Sequence, residues 1–158
     1  MSLAQEKFTY DKTAITDYVV INANGTASEL YSKTINWIKE SYKNPDEVIK
    51  MTIENEKLRF QGYSKKFTCW GSVCSDASYT IEISFKDGKY KFDLISLKAV
   101  GEVNSFEMPI NDLSIYYNKN GEFRKGSKQS LDDTVYFLNT LQQNLNDYIN
   151  GNTKKADW

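Results

Sequence analysis

After Pro45 the chain falls into alternation. Ile49, Met51 and Ile53, then Leu58 and Phe60, then Tyr79, Ile81, Ile83 and Phe85, then Tyr90, Phe92 and Leu94 occupy every second position of four successive segments. Between them stand Lys50, Thr52 and Glu54, then Lys57, Arg59 and Gln61, then Thr80, Glu82 and Ser84, then Lys91 and Asp93. A strand points successive side chains to opposite faces, so these segments predict a sheet with one apolar and one polar face. That contrast marks antiparallel strands solvated on one side, because a parallel sheet covered on both faces reads as unbroken apolar runs. Asp87-Gly88 supplies a hairpin turn between the last two segments, which assigns Phe85, Tyr90, Phe92 and Leu94 to one core face.

An apolar sheet face needs a cover, and two helical patterns provide it. A β-branched strand over 15–21 stops at Asn22-Ala23-Asn24-Gly25, and Thr26 with Glu29 then fits a capping box. Tyr31, Ile35, Ile38 and Tyr42 recur at helical spacing, widened by Leu30 and Trp37, until Pro45 ends the helix near Asn44. Ser130 with Asp133 reads as a second helix start, followed by Val135, Leu138, Leu141, Leu145 and Ile149 and closed by Gly151. With 158 residues the chain is one α+β domain. It divides into an N-terminal arm (1–14), a β-α-β-β-β-β body (15–97), an irregular excursion with one short strand (98–128), a C-terminal helix (130–150) and a loose tail (151–158). The expected register buries Phe60, Ile81, Ile83, Phe85, Phe92 and Leu94 under Trp37, Ile38, Leu138 and Leu145. A slip of one residue would bury Thr80, Glu82 and Ser84 instead.

The chain contains no histidine. Ser-His and Cys-His nucleophile pairs, a histidine base and histidine-containing zinc sites are therefore excluded. Asp46 with Glu47 and Asp132 with Asp133 sit at helix starts, where carboxylates favour the helix dipole, and Glu82 near Asp93 lies on the solvated sheet face. These pairs read as caps and surface charge, so neither an enzyme nor a cofactor is expected. Lys and Arg total 20 against 21 Asp and Glu, giving a net charge of −1 that draws the chain to neither nucleic acid nor anionic lipid. No apolar run reaches the ~18 residues of a membrane span. The start Met1-Ser2-Leu3 lacks an apolar middle and reads as a leader standing where a natural signal segment was removed.

Leu30-Tyr31 and Asn36-Trp37-Ile38-Lys39 on the first helix, with the hairpin from Phe85 through Asp87-Gly88 to Phe92, resemble an uncharacterised bacterial family. That family is described as a domain of unknown function with a TBP-like fold. The resemblance spans about 15–97 and implies a single curved antiparallel sheet with two helices on one face, akin to helix-grip domains. It also implies an extracytoplasmic address, periplasmic or anchored at the outer membrane, and it carries no catalytic residues. The DNA-binding habit that the fold name suggests is opposed by the residues. Lys50, Arg59 and Lys91 are interleaved with Glu54, Glu82 and Asp93, whereas a phosphate-binding face needs clustered cations.

Cys69 and Cys74 bracket Trp70-Gly71-Ser72-Val73, a spacing that suits neither a Cys-x-x-Cys redox pair nor half a zinc site. They flank a hairpin turn, where a disulfide would contribute about 2 kcal/mol; two unlinked thiols are the alternative. Trp70, in a turn between cysteines, is a candidate contact residue, joined by Tyr116 and Tyr117 of the excursion. The leading expectation is a noncatalytic envelope module that contacts a protein or a glycan. The second is a carrier of a small apolar ligand, held between the C-terminal helix and the sheet and lined by Tyr18, Tyr79, Tyr90 and Tyr136.

Overall fold

The structure, a computed structural model, describes residues 7–12, 14–70, 73–100 and 107–151, without the side chains of Thr68, Trp70, Val73, Glu107 and Met108. Six strands form one antiparallel sheet: β1 (Tyr18–Asn22), β2 (Ile49–Ile53), β3 (Lys57–Trp70), β4 (Val73–Lys86), β5 (Lys89–Val100) and β6 (Glu107–Pro109). Their order is β1-β5-β4-β3-β2, with β6 also pairing β5, beyond the end of β1. Helices α1 (Ala27–Ser41) and α3 (Ser127–Ile149) contact the sheet, and a one-turn α2 (Pro45–Val48) leads into β2.

The register follows the alternation. Phe60, Ile81, Ile83 and Phe92 are fully buried and Phe85 and Leu94 nearly so, under Trp37, Ile38, Leu138 and Leu145. The Trp37 ring meets Phe60 edge-on at 5.8 Å, and Tyr31 meets Phe85 in the same way at 5.8 Å. Thr26 caps α1 through the Glu29 amide at 3.2 Å, while Ser41 is its last residue before Pro45 opens α2. Pro45 thus starts a turn of helix as well as ending one, since its fixed φ suits a first helical position.

Three features depart from the expected pattern. The excursion is largely part of the fold: β5 runs on to Val100, β6 pairs with it, and a 3-10 turn (Leu113–Tyr116) returns Ile110, Leu113 and Tyr116 to the core. The N-terminal arm is anchored as well, with Phe8 buried edge-on against Phe92 at 6.0 Å. Helix α3 begins at Ser127, so Ser130 is a buried interior residue rather than the cap, and its amide donates to Gly126 O. The tail from 152 on lies outside the described residues.

The Asp87-Gly88 hairpin does more than reverse the chain. Asp87 Oδ1 accepts the Ala27 amide at 2.8 Å, so the turn between β4 and β5 caps the first turn of α1 from across the fold. Gly88, at φ 81°, adopts the left-handed conformation that such a turn requires. Replacing Asp87 with Ala should cost about 1 kcal/mol, the usual value of a lost helix cap. An Asp87→Ala chain as stable as its parent in urea unfolding would remove this link.

Candidate functional site

The cysteines are bonded. Cys69 and Cys74 face each other in the β3–β4 register at the far end of the hairpin, with Cα atoms 4.0 Å apart. Below them the ladder breaks between Ser64 and Thr68, and Lys66 takes φ 50°. Asp76 fills the break: Oδ1 accepts the Lys66 amide at 2.9 Å and Oδ2 accepts the Tyr63 hydroxyl at 2.5 Å. The Tyr63 bond, with that amide, holds the Asp76 carboxyl below its ordinary range. The bulge re-aims Phe67 onto Phe137 of α3, centroids 4.7 Å apart. Trp70 pairs with Val73 through the backbone, and its side chain, the proposed contact, lies outside the described residues.

Tyr116 is not a surface contact. The 3-10 turn folds it inward, fully buried, and its hydroxyl donates to Ile110 O at 2.5 Å. Tyr117 stays half-buried and stacks on Phe123, centroids 4.6 Å apart. The four tyrosines expected to line one cavity do not gather. Tyr18 is 41% exposed beneath the Lys91 ammonium, 4.3 Å away on the open sheet face, and Tyr136 is 74% exposed on α3. Tyr79 and Tyr90 are core residues whose hydroxyls meet Tyr42 at 2.8 Å and the Gln142 amide at 3.0 Å. A strand's alternation separates Tyr18 from the core side, and helical phase turns Tyr136 outward.

Burial raises the hydroxyl pKa of Tyr42, Tyr79 and Tyr90, and that of Tyr116 to about 12. In the unfolded chain these groups titrate near 10, so the folded chain keeps its protons to higher pH. The Tyr116 contribution is therefore complete below pH 10 and is lost as pH rises through about 12, and the other three act with the same sign. Melting temperature should hold from pH 7 to 9 and fall above 10, with tyrosinate absorbance rising as the chain unfolds. A melting temperature constant to pH 12 would contradict this.

The open sheet face is paired within itself. Arg59 meets Glu82 at 3.3 Å, Lys91 meets Asp93 at 3.5 Å and Gln61 donates to Ser78 at 2.8 Å. A cleft of about 290 Å³ opens between the end of β1 and α3, lined by Lys7, Ile21, Asn22, Asn139, Gln142, Gln143 and Asn146. Five of these seven are neutral amides. Asn139 Oδ1 accepts the Phe8 amide at 2.8 Å while its Nδ2 donates to Phe8 O at 3.0 Å, a two-point grip on the backbone of that residue. Gln142 is buried against Tyr90, and Gln143 Nε2 donates to Asp147 at 2.9 Å. Asn146 Oδ1 is shielded from solvent and accepts no hydrogen bond within the described residues. None of these amides stood out in the sequence, although Asn139, Gln142 or Gln143, and Asn146 recur at one-turn spacing on a single helix.

Comparison with known proteins supports the same architecture. No curated protein matches the chain. A DUF4468 family protein from Bacteroides ovatus superposes with TM-score 0.67 at 14% identity, over 89% of this chain and 88% of that one. A TBP-like protein from Parabacteroides distasonis gives TM-score 0.65 at 12% identity, over 84% and 90% respectively. At such identities the likeness is one of fold. In sequence, residues 18–99, which carry β1 through most of β5 and the helices between, match a single family pattern over more than half the chain. With its sheet order and helical cover, that match makes the chain a member of the family described as a domain of unknown function (DUF4468) with TBP-like fold.

Proposed function

We propose that this domain is a noncatalytic binding module that works outside the cytoplasm. The observation that carries the reading is the amide-lined cleft: its five neutral amides form hydrogen bonds and hold shape but supply no nucleophile and no general acid or base, and Lys7 is the one charged residue in its lining. Two carboxylates are engaged in structural bonds. Asp132 accepts from Tyr10 at 2.5 Å and from Lys128 at 2.9 Å, and Asp76 closes the hairpin bulge. The reading without nucleic acid rests on the open face, where Arg59 and Lys91 already neutralise Glu82 and Asp93. The Cys69–Cys74 bond suits an oxidising compartment, and no described helix is long and apolar enough to cross a membrane.

The domain, immobilised with its disulfide intact, should retain an envelope component, protein or glycan, and release it chemically unchanged. Mass spectrometry of the eluate that found the component cleaved or modified would overturn the noncatalytic reading.

A further inference from the structure

The charge pairing of the open sheet face stops short of the β4–β5 turn. Lys86 and Lys89 are direct partners at the end of that ladder, and one step back Lys57, Ser84 and Lys91 form a row across β3, β4 and β5. Like charges placed opposite one another destabilise a sheet, so the Lys86–Lys89 pair is an arrangement that the fold alone does not favour. Lys91 is held by Asp93 at 3.5 Å and stands 4.3 Å from the centre of the Tyr18 ring. Lys57, Lys86 and Lys89 form no ion pair within the described residues. Asp87, the carboxylate next to Lys86 in sequence, is turned to the Ala27 amide of α1.

These side chains border a hollow of about 190 Å³, lined by Ser84, Lys86, Lys89 and Lys91 with Val20 and Tyr90. Its lining holds three cations and a hydroxyl donor but no carboxylate, and Lys57 stands one strand over, opposite Ser84. Ser84, Lys86 and Lys57 belong to β4 and β3, inside the sheet and away from its β1 edge. We propose that this hollow binds a phosphoryl group, a compact tetrahedral anion with about two negative charges at neutral pH. Lysine selects it over a carboxylate. An ammonium is a point charge that can meet any oxygen of a tetrahedral anion, whereas a carboxylate is matched by the planar fork of arginine, and Arg59 is already paired with Glu82 in the next row. That row, Tyr18, Asp93, Glu82 and Arg59, also limits the site to one group. Its two carboxylates interrupt the cations that a nucleic-acid backbone would need to follow along the sheet. The site is separate from the amide cleft and goes beyond the reading drawn from it.

The test titrates inorganic phosphate and glycerol 3-phosphate into the oxidised full chain, followed by NMR at about pH 7.5, where the phosphoryl group is largely dianionic. Ionic strength is held at about 0.15 M with sodium chloride, which screens exposed charges beyond about 8 Å. Both probes should shift the Ser84, Lys86 and Lys89 amides saturably in the low millimolar range. Lys86→Gln and Lys89→Gln should each weaken binding about threefold, the scale of an exposed charge contact. Lys89→Glu should abolish binding and raise the phosphate-free melting temperature, because it replaces a like-charge pair with an opposite one. Sedimentation with phosphatidylcholine vesicles, with and without phosphatidic acid, separates the sources of the group. Retention only by the phosphatidic acid vesicles assigns the site to a lipid headgroup, and binding of the soluble probes without retention assigns it to a small phosphate compound. Four results would overturn the site: no saturation by either probe at tens of millimolar together with no retention, shifts that chloride alone reproduces, a Lys89→Glu chain that binds phosphate as its parent does, or duplex DNA binding with a steep salt slope in place of the small probes. Each would leave the reading of the amide cleft untouched, since retention of an envelope component by the immobilised domain tests that separately.

Discussion

Replacing Gly62 with alanine should destabilise the domain by about 3 kcal/mol, the upper part of the range for overpacking a core. Gly62 sits directly across from Tyr79 in the β3–β4 ladder, and the tyrosine ring lies over it. A Cβ at residue 62 would meet Tyr79 Cζ at 2.2 Å, its hydroxyl at 2.3 Å and Cε2 at 2.5 Å. The ring has nowhere to retreat. Its hydroxyl bonds Tyr42 at 2.8 Å, and Phe137 of α3 packs against it at 5.2 Å. Moving Tyr79 thus disturbs the end of α1 and the middle of α3 together. Urea unfolding of Gly62→Ala measures the cost, and the same change in a Tyr79→Leu background tests the cause. With the shorter side chain in place, the added methyl should cost less than about 1 kcal/mol. An equal cost in both backgrounds would mean that something other than this contact penalises the methyl.

Gly62 also shows where the sequence is hard to read. As a residue without a side chain it ends the run Leu58, Phe60, yet it occupies a core-facing position, filled from the opposite strand by Tyr79. Beyond it the β3–β4 hairpin crosses the bulge at 65–67, where alternation loses its phase, so strands of 14 residues each read as much shorter segments. β5 hides its length in the same way. Ile95 is the extra residue between the pairs Ile81–Leu94 and Thr80–Ser96, so burial falls on Tyr90, Phe92 and Leu94 before it and on Leu97 and Ala99 after it. The parts with unbroken phase, from Tyr79 to Leu94, were legible because a solvated face makes the contrast sharp.

The helices mislead differently. Thr34 and Thr134 are buried because each hydroxyl donates to the carbonyl four residues back, at 2.8 and 2.9 Å, and Gln142 because it donates to Tyr90. Polar residues satisfied locally can face a core, so an apolar stripe drawn through Tyr31, Ile35 and Val135 is rotated from the true contact line through Leu30, Thr34, Trp37 and Leu131. The cleft was invisible for a related reason. Asn139, Gln143 and Asn146 look like ordinary helix surface until the arm and β1 are placed beside them, and that placement depends on contacts such as Phe8 with Asn139, 131 residues apart in sequence.

Phe92→Ala should be the most damaging single truncation, costing about 4 kcal/mol. β5 lies between β1 and β4, and Phe92 pairs with Val19 on one side and Ile83 on the other, all three fully buried. Its ring also receives the edge of Phe8, the contact that seats the N-terminal arm. Removing it leaves a cavity bordered by three strands that their ladders prevent from closing, and it frees the arm whose backbone Asn139 grips. Against a total stability of roughly 5–15 kcal/mol, this leaves a chain with a melting temperature lower by about 10 °C or more. Ile95→Ala is the matched control, since that residue is 43% exposed at the bulge three positions along the same strand and should change stability by less than about 0.5 kcal/mol. Thermal unfolding of the pair should separate them widely. Amide exchange at Phe8 and Lys7 should accelerate in Phe92→Ala alone, because loss of the ring unseats the arm that forms one wall of the cleft. A Phe92→Ala loss below about 1.5 kcal/mol would show that the sheet can collapse around the gap and that the arm is held by Asn139 without the aromatic contact.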